Sequence, residues 1–316
     1  MPSSTVRTFT DPNDYATSVR GGTVKLTVAE RGQFSAKLTR IDLHRLWMQR
    51  FSEDLARIVD ATSLTSGRIY LSFRTRPGPS LLQGGLEMDP SHIVRHGPTA
   101  DYYQYSSGAA HFATMSLPIE DFASLEDALA GLELTTSDNP MIVTPSPGAM
   151  ARLLRLHAAA SHLAEETPEI IANPEAARGI ELALIEAMVG CLGHGQERES
   201  SLAQGQHATV MRRFRRALEE NPGEPLFIPE ICKAIGVSDR TLRKCCQEHL
   251  GVSPKRYLLL RRMNLVRRSL HAAAPDATSV TEVATRYGFW QLGRFAVEYG
   301  ALFGERPSTT LQRQPD

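Results

Sequence analysis

The spacing of hydrophobic and polar positions divides the chain. From Gly21 to about Phe122 the apolar residues alternate in short runs. GTVKLTV, FSAKLTRIDL, GRIYLSF and HFATMSL are rich in β-branched and aromatic side chains. Pro77-Gly78-Pro79, Gly84-Gly85 and Asp89-Pro90 punctuate them as turns. Many short strands without long helices between them predict an antiparallel sandwich or barrel. The period then lengthens to that of a helix. Leu153, Leu154, Leu156, Ala160 and Leu163 fall on or near one face over 149–164. Pro174 opens a second helix over 174–192, with Ala177, Ile180, Leu184, Ile185, Met188 and Leu192 apolar. Such a pair could cap the β domain or pair with a second copy. Residues 193–208 are polar and aperiodic and read as a linker, and the polar residues 1–20 read as poorly ordered.

Beyond the linker the pattern is helical and repeats itself. Glu230-Ile231 matches Glu282-Val283 and Gly236 matches Gly288, an offset of 52. Leu242 then meets Phe295, Leu250 meets Phe303, Gly251 meets Gly304 and Pro254 meets Pro307, an offset of 53. In the first copy, Pro229 suits the first turn of a helix whose Ile231, Ala234 and Ile235 face inward. Gly236 ends that helix, Val237 is buried in the turn, and Ser238 caps a second helix to about Leu250. A short helix, a tight glycine turn and a second helix is helix-turn-helix spacing, in which the second helix enters the major groove.

The polar residues of that second helix suit the role. Arg240, Arg243 and Lys244 share one face, while Leu242, Cys245, Cys246 and Leu250 pack inward. Arginine or lysine reads guanine with about 1–3 kcal/mol of discrimination. On one copy alone, a solvated basic face on an ordinary helix hairpin explains these residues equally well. The second copy shifts the balance. Val280, Val283, Ala284 and Tyr287 form the packing side of its first helix, Gly288-Phe289 its turn, and Trp290 to Phe303 its candidate reading helix. Phe295, Tyr299 and Phe303 recur every four residues as core, which leaves Gln291 and Arg294 for DNA and predicts positioning more than base choice. The helix of residues 253–273 joins the units. Some 20 residues span roughly 30 Å, near the roughly 34 Å between successive major-groove faces.

Charge first argues against nucleic acid, with 35 Lys+Arg and 35 Asp+Glu and a net charge of zero. Divided at Thr209, the balance is 18 basic against 11 acidic in residues 209–316, and 17 against 24 in residues 1–208. The basic half suits double-stranded DNA. No apolar run of transmembrane length, no signal-peptide core in MPSSTVRTFT and four cysteines with no disulfide pattern lead us to expect a cytoplasmic protein with no membrane partner.

These residues carry a resemblance. IPEICKAIGVSDRTLRK, HLGVSPKRYLLLRRMNLVRRSL and VTEVATRYGFWQLGRFAVEYGALFGERPS resemble the DNA-binding domain of the AraC/XylS family of bacterial transcription regulators, the GFWQLGRF wording being nearest the XylS-like branch. The likeness covers residues 209–313. Cys246 stands where the family usually has an aromatic residue, and Gly300 and Ala301 where it often has basic ones. The resemblance implies base contacts from Arg240, Arg243 and Lys244 in the first unit and from Gln291, Leu292, Gly293 and Arg294 in the second. Ser238 and Thr241 complete the candidate DNA-binding set. It further implies an α+β multidomain chain. A cupin- or jelly-roll-like effector-binding and dimerisation domain would span 21–192, followed by an all-α domain with helix-turn-helix units at 229–250 and 280–303. The expected partners are a small organic effector, a second copy in a homodimer, and RNA polymerase, with activation the expected sign.

The N-terminal half offers weaker candidates. Tyr102, Tyr103 and Tyr105 could line an effector pocket or simply pack on a strand. His92 and His96, with His44 and His111, lack an accompanying glutamate pattern, so ordinary histidines are expected, with no metal or cofactor. No GxSxG, HExxH, P-loop or Rossmann pattern occurs, and no catalytic residue is assigned. Two alternatives stay open: a cupin-type metal-dependent enzyme fused to a DNA reader, and a DNA binder without an effector.

Overall fold

A computed structural model of the chain describes residues 1–63, 65, 67–96, 101–126, 141–193, 196–199, 202–221 and 226–313. Its first half is two facing antiparallel sheets. The larger runs β1 (Ser3–Phe9), β3 (Ala36–Asp42), β4 (Trp47–Glu53), β11 (Ala110–Pro118), β6 (Arg68–Arg74), β9 (Ile93–His96), β12 (Met141–Thr144) and β13 (Gln196–Glu199). The smaller runs β2 (Thr23–Val28), β5 (Arg57–Thr62), β10 (Tyr102–Ser106), β7 (Leu81–Gln83) and β8 (Leu86–Glu87). Period-two alternation assigns each face. Phe51 and Phe112, opposed across β4 and β11, stack between the sheets with centroids 4.5 Å apart. Met48 and Met115, opposed in the same ladder, turn to the other side. There they pack on α3 (Pro147–Glu166), α4 (Pro168–Ala172) and α5 (Pro174–Leu192), while α2 (Ile119–Glu126) follows β11. Ser146 and Asn173 cap α3 and α5 with proline in the first turn of each, which fixes where the predicted helical pair begins.

Two expectations change. Residues 1–20 are ordered: β1 pairs along its whole length with β3, and Asp11 caps α1 (Pro12–Ser18) by accepting from the Asn13 and Asp14 amides. Their polarity reflects an edge strand with one exposed face, which composition cannot tell from disorder. Residues 193–208 are not a free linker either. Strand β13 pairs with β12, and α6 (Leu202–Glu220) begins inside the segment. The buried side chains that anchor α6 are Met211, Phe214 and Leu218, all C-terminal to residue 208.

The second half is helical: α7 (Ile228–Ile235), α8 (Asp239–Leu250), α9 (Pro254–Ala272), α10 (Val280–Arg286), α11 (Leu292–Phe303) and α12 (Pro307–Gln312). It is packed against the sheets rather than tethered to them. Leu260, Met263 and Val266 of α9 share a core with Leu26 and Val28 of β2, and Phe214, Leu242 and Tyr257 share one with Ile58 and Tyr103. Strand β2 is an edge, and edges need covering. Asn264 does so as a strand would: its Oδ1 accepts from Val28 N–H at 3.0 Å and its Nδ2 donates to Val28 C=O at 3.2 Å. Arg267 meets Asp11 at 2.7 Å and Arg215 meets Asp60 at 2.6 Å, all four side chains nearly buried.

Gly236 and Gly251 both end helices in the left-handed conformation, at φ 70° and 65°. A Cβ on Gly236 would meet open space, whereas one on Gly251 would strike the Tyr105 ring of β10. Gly236→Ala should therefore cost only the backbone term, about 1–2 kcal/mol, and Gly251→Ala clearly more. Equilibrium denaturant unfolding of the two variants measures the difference.

Candidate nucleic-acid interface

Each repeat builds the same device. In the first, Gly236 turns the chain at the end of α7, and the Ser238 hydroxyl accepts from the Thr241 amide at 3.1 Å to cap α8. The Ser238 and Thr241 hydroxyls also bond each other at 2.8 Å, so both stand at the helix mouth. Leu242, Cys245, Cys246 and Leu250 are completely buried, which forces Arg240, Arg243 and Lys244 outward onto one exposed face. Arg243 reaches Asp239 at 2.8 Å and Lys244 lies 3.9 Å from Glu248. Such solvent-exposed pairs are worth little and can be exchanged for phosphate or base contacts. Arg240 has no ion pair among the described residues. Positive helix dipole, free amides and cations thus converge at the start of α8. Ala234, expected inward, is exposed, and Cys232 is buried in its stead.

The second unit follows the same course: α10, a turn at Gly288 with φ 78°, then α11. Phe295, Tyr299 and Phe303 form its aromatic core, with ring centroids 5.5 Å and 4.6 Å apart along the helix. The helix starts at Leu292 rather than Trp290, with Gln291 at the cap position and no side-chain cap bond. Gln291, Gly293 and Arg294 are exposed and Leu292 is half-buried. Arg294 binds Glu298 at 2.7 Å. Two large apolar side chains beside them are exposed to solvent: Trp290 at 75% and Val297 also at 75%. Val297 shares a face of α11 with Arg294, three residues before it, and Trp290 stands just ahead of the cap.

A family model described as a helix-turn-helix domain matches residues 231–313. A probable thc operon regulatory protein of Rhodococcus erythropolis is 41% identical over 98 residues, 31% of this chain and 30% of that protein. A XylDLEGF operon transcriptional activator of Pseudomonas putida is 35% identical over 96 residues, 30% of each chain. This chain thus spans under a third of the length of these two relatives. Among solved structures, a probable AraC family transcriptional regulator from Rhodopseudomonas palustris CGA009 is 34% identical, with 33% of this chain and 95% of that one covered and a TM-score of 0.30. The C-terminal helices thus carry a helix-turn-helix domain of the AraC/XylS type. The AraC-like transcriptional activator CuxR covers 89% of this chain and 99% of its own at 16% identity, with a TM-score of 0.45.

In the β domain the three candidate effector residues separate. Strand alternation sends Tyr102 one way and Tyr103 and Tyr105 the other. Tyr102 stacks on His96 at 4.5 Å and lines a cavity of about 60 Å³ between the sheets. Tyr103 lies edge-on to Tyr257 of α9 at 6.2 Å, under the Arg215 guanidinium, and Tyr105 abuts Gly251. Tyr15, Glu53 and Gln104 give the cavity a polar lining, backed by Arg57 and Gln83. Tyr15 donates to Glu53 at 2.6 Å, Arg57 to Glu53 at 2.7 Å and to Gln104, and Gln104 to Gln83 at 2.8 Å. Burial holds the His96 pKa at about 3 and pushes that of Tyr102 up to about 12, so both rings stay neutral. The histidines weighed as ligands are dispersed: His44 bonds Pro174 C=O and His111 bonds Ser52, and no metal-binding group of three occurs among the described residues.

His249 of α8 is buried against Gly85 of the β domain, and burial holds its pKa down at about 4. The unfolded chain then binds a proton that the folded chain refuses between pH about 6.5 and 4. This contribution to stability is full above pH 6.5 and is lost as pH falls towards 4. His249→Gln should flatten the decline in unfolding free energy between pH 6.5 and 4.5 by up to about 1.4 kcal/mol per pH unit, read by denaturant titration at each pH.

Proposed function

We propose that this chain is a sequence-specific DNA-binding transcription regulator, an activator answering to a small organic effector. One observation carries the reading: two helix-turn-helix units of the same chain each expose the start of their second helix, with Arg240, Arg243 and Lys244 on α8 and Gln291 and Arg294 on α11. Helix α9, 19 residues long, spans about 28 Å at the usual rise, which suits placement of the units in successive major-groove segments. Unit one supplies most of the base discrimination through its cations. Unit two, with Leu292 and Gly293 at its start and exposed Trp290 and Val297 beside them, supplies position and apolar contact.

The domains divide as 21–192 for effector binding and dimerisation and 209–316 for DNA, with the relatives' regulatory names supporting the second. The effector would enter between the sheets beside Tyr102 and Gln104. At about 60 Å³ that cavity must widen several-fold, because ligand pockets run to about 300–1,000 Å³. The homodimer contact would be the apolar-faced helical pair α3 and α5. RNA polymerase is the further partner, and the site of action is the cytoplasm. Among the described residues no helix is long and apolar enough to cross a membrane.

Arg240→Ala and Arg243→Ala should each cost about 1–3 kcal/mol at a site selected from random DNA and relax base preference within one half of it. Retention of full affinity and selectivity by both variants would remove α8 from the groove.

A further inference from the structure

A second pocket lies on the opposite side of the eight-stranded sheet from the inter-sheet cavity. Strands β3, β4 and β11 floor it and α3 walls it, enclosing about 250 Å³. Its charges do not balance. Lys37 is neutralised by Glu165 at 2.9 Å, but Arg50 and Arg76, which also line it, form no ion pair among the described residues. His111 stands beside them as a polar wall, its ring bonded to the Ser52 hydroxyl at 3.0 Å. The crowding is felt by the groups themselves. Burial and the charge of Arg76 lower the Arg50 pKa, and burial with the charges of Arg76 and Arg50 holds His111 below the ordinary histidine range.

Like charges held together in a half-buried pocket cost free energy, and nothing in the fold requires them: the apolar contacts between α3 and the sheet are made by Phe73, Met150, Leu153 and Ala160. We propose that Arg50, Arg76 and His111 form a binding site for a small oxyanion, a metabolite carrying a carboxylate or phosphate group. A guanidinium meets either group with two parallel N–H donors, and the Ser52 and Thr39 hydroxyls supply further donors in the same pocket. The volume limits the ligand to a small one. Lys37 and Glu165, mutually paired, form the rim. The site is separate from the reading helices and does not depend on the chain being a DNA-binding regulator.

Calorimetric titration of the full chain, without DNA, tests it. The probes are inorganic phosphate and succinate, at an ionic strength held constant with chloride. One-site saturable binding of either probe is expected, weakened about tenfold, or about 1.4 kcal/mol, in Arg50→Gln and in Arg76→Gln. Binding of phosphate alone assigns the site to phosphate esters, of succinate alone to carboxylates, and of both to the shared oxyanion chemistry. Arg76 is exposed, so Arg76→Gln should melt as the wild type does and keeps the test valid if Arg50→Gln is unstable. Absence of saturable binding by both probes, a response equalled by chloride, or unchanged affinity in Arg76→Gln would overturn the assignment.

Discussion

The docking of α9 on the edge of the smaller sheet organises the molecule. One side chain, Asn264, gives the Val28 amide and carbonyl the two hydrogen bonds that a neighbouring strand would have given them. Three residues on, Arg267 joins Asp11, the cap of α1, to Glu305 beyond the end of α11. A buried arginine with two carboxylate partners is costly to break, because either partner left alone would be a charge away from water. The helix that joins the two helix-turn-helix units is therefore also the helix that fastens them to the β domain. Any change between the sheets that moves β2 reaches α9 without an intermediary, which would give the proposed effector a physical route to the proposed DNA-reading half.

The same contacts revise the meaning of the charge asymmetry. The basic half holds 18 Lys+Arg against 11 Asp+Glu, yet several of those cations face inward. Arg215 binds Asp60, Arg267 binds Asp11, Arg261 donates to Leu218 C=O and Arg268 to Asn13. Part of the acidic surplus of the first half serves to receive these arginines. On the proposed reading helices the cations stay exposed: Arg243 and Lys244 on α8 and Arg294 on α11 are held only by weak pairs within their own helices, and Arg240 forms no ion pair among the described residues.

Much of the second half was legible in the sequence because its rules are local. Gly236, Gly251, Gly288 and Gly304 mark the left-handed turns, Ser238 and Ser253 the caps, and the buried positions of α8 recur every three or four residues. The candidate set on α11 follows largely from that on α8, because α11 repeats α8 at a constant offset. The β domain was legible only as a class. Strands β4, β5 and β10 carry buried Arg57, Glu53, Gln49 and Gln104 inside the sandwich, so their polar residues hid the alternation. Strands β12 and β13 join the sheet from beyond residue 122, a long-range pairing that no local pattern announces. Tyr103 and Tyr105 were grouped with Tyr102 by proximity in sequence, although adjacent strand residues face opposite ways. The docking of α9 itself was hidden, since one asparagine and one arginine among many carry it.

The most direct test of the central claim is a hydroxyl-radical footprint of the full chain on a site selected from random duplex DNA. Reading by both units of one chain predicts two protected segments on one face of the duplex, centred about one helical turn, or 10–10.5 base pairs, apart. Selection that yields no preferred sequence, or protection of a single segment at saturating protein, would contradict it.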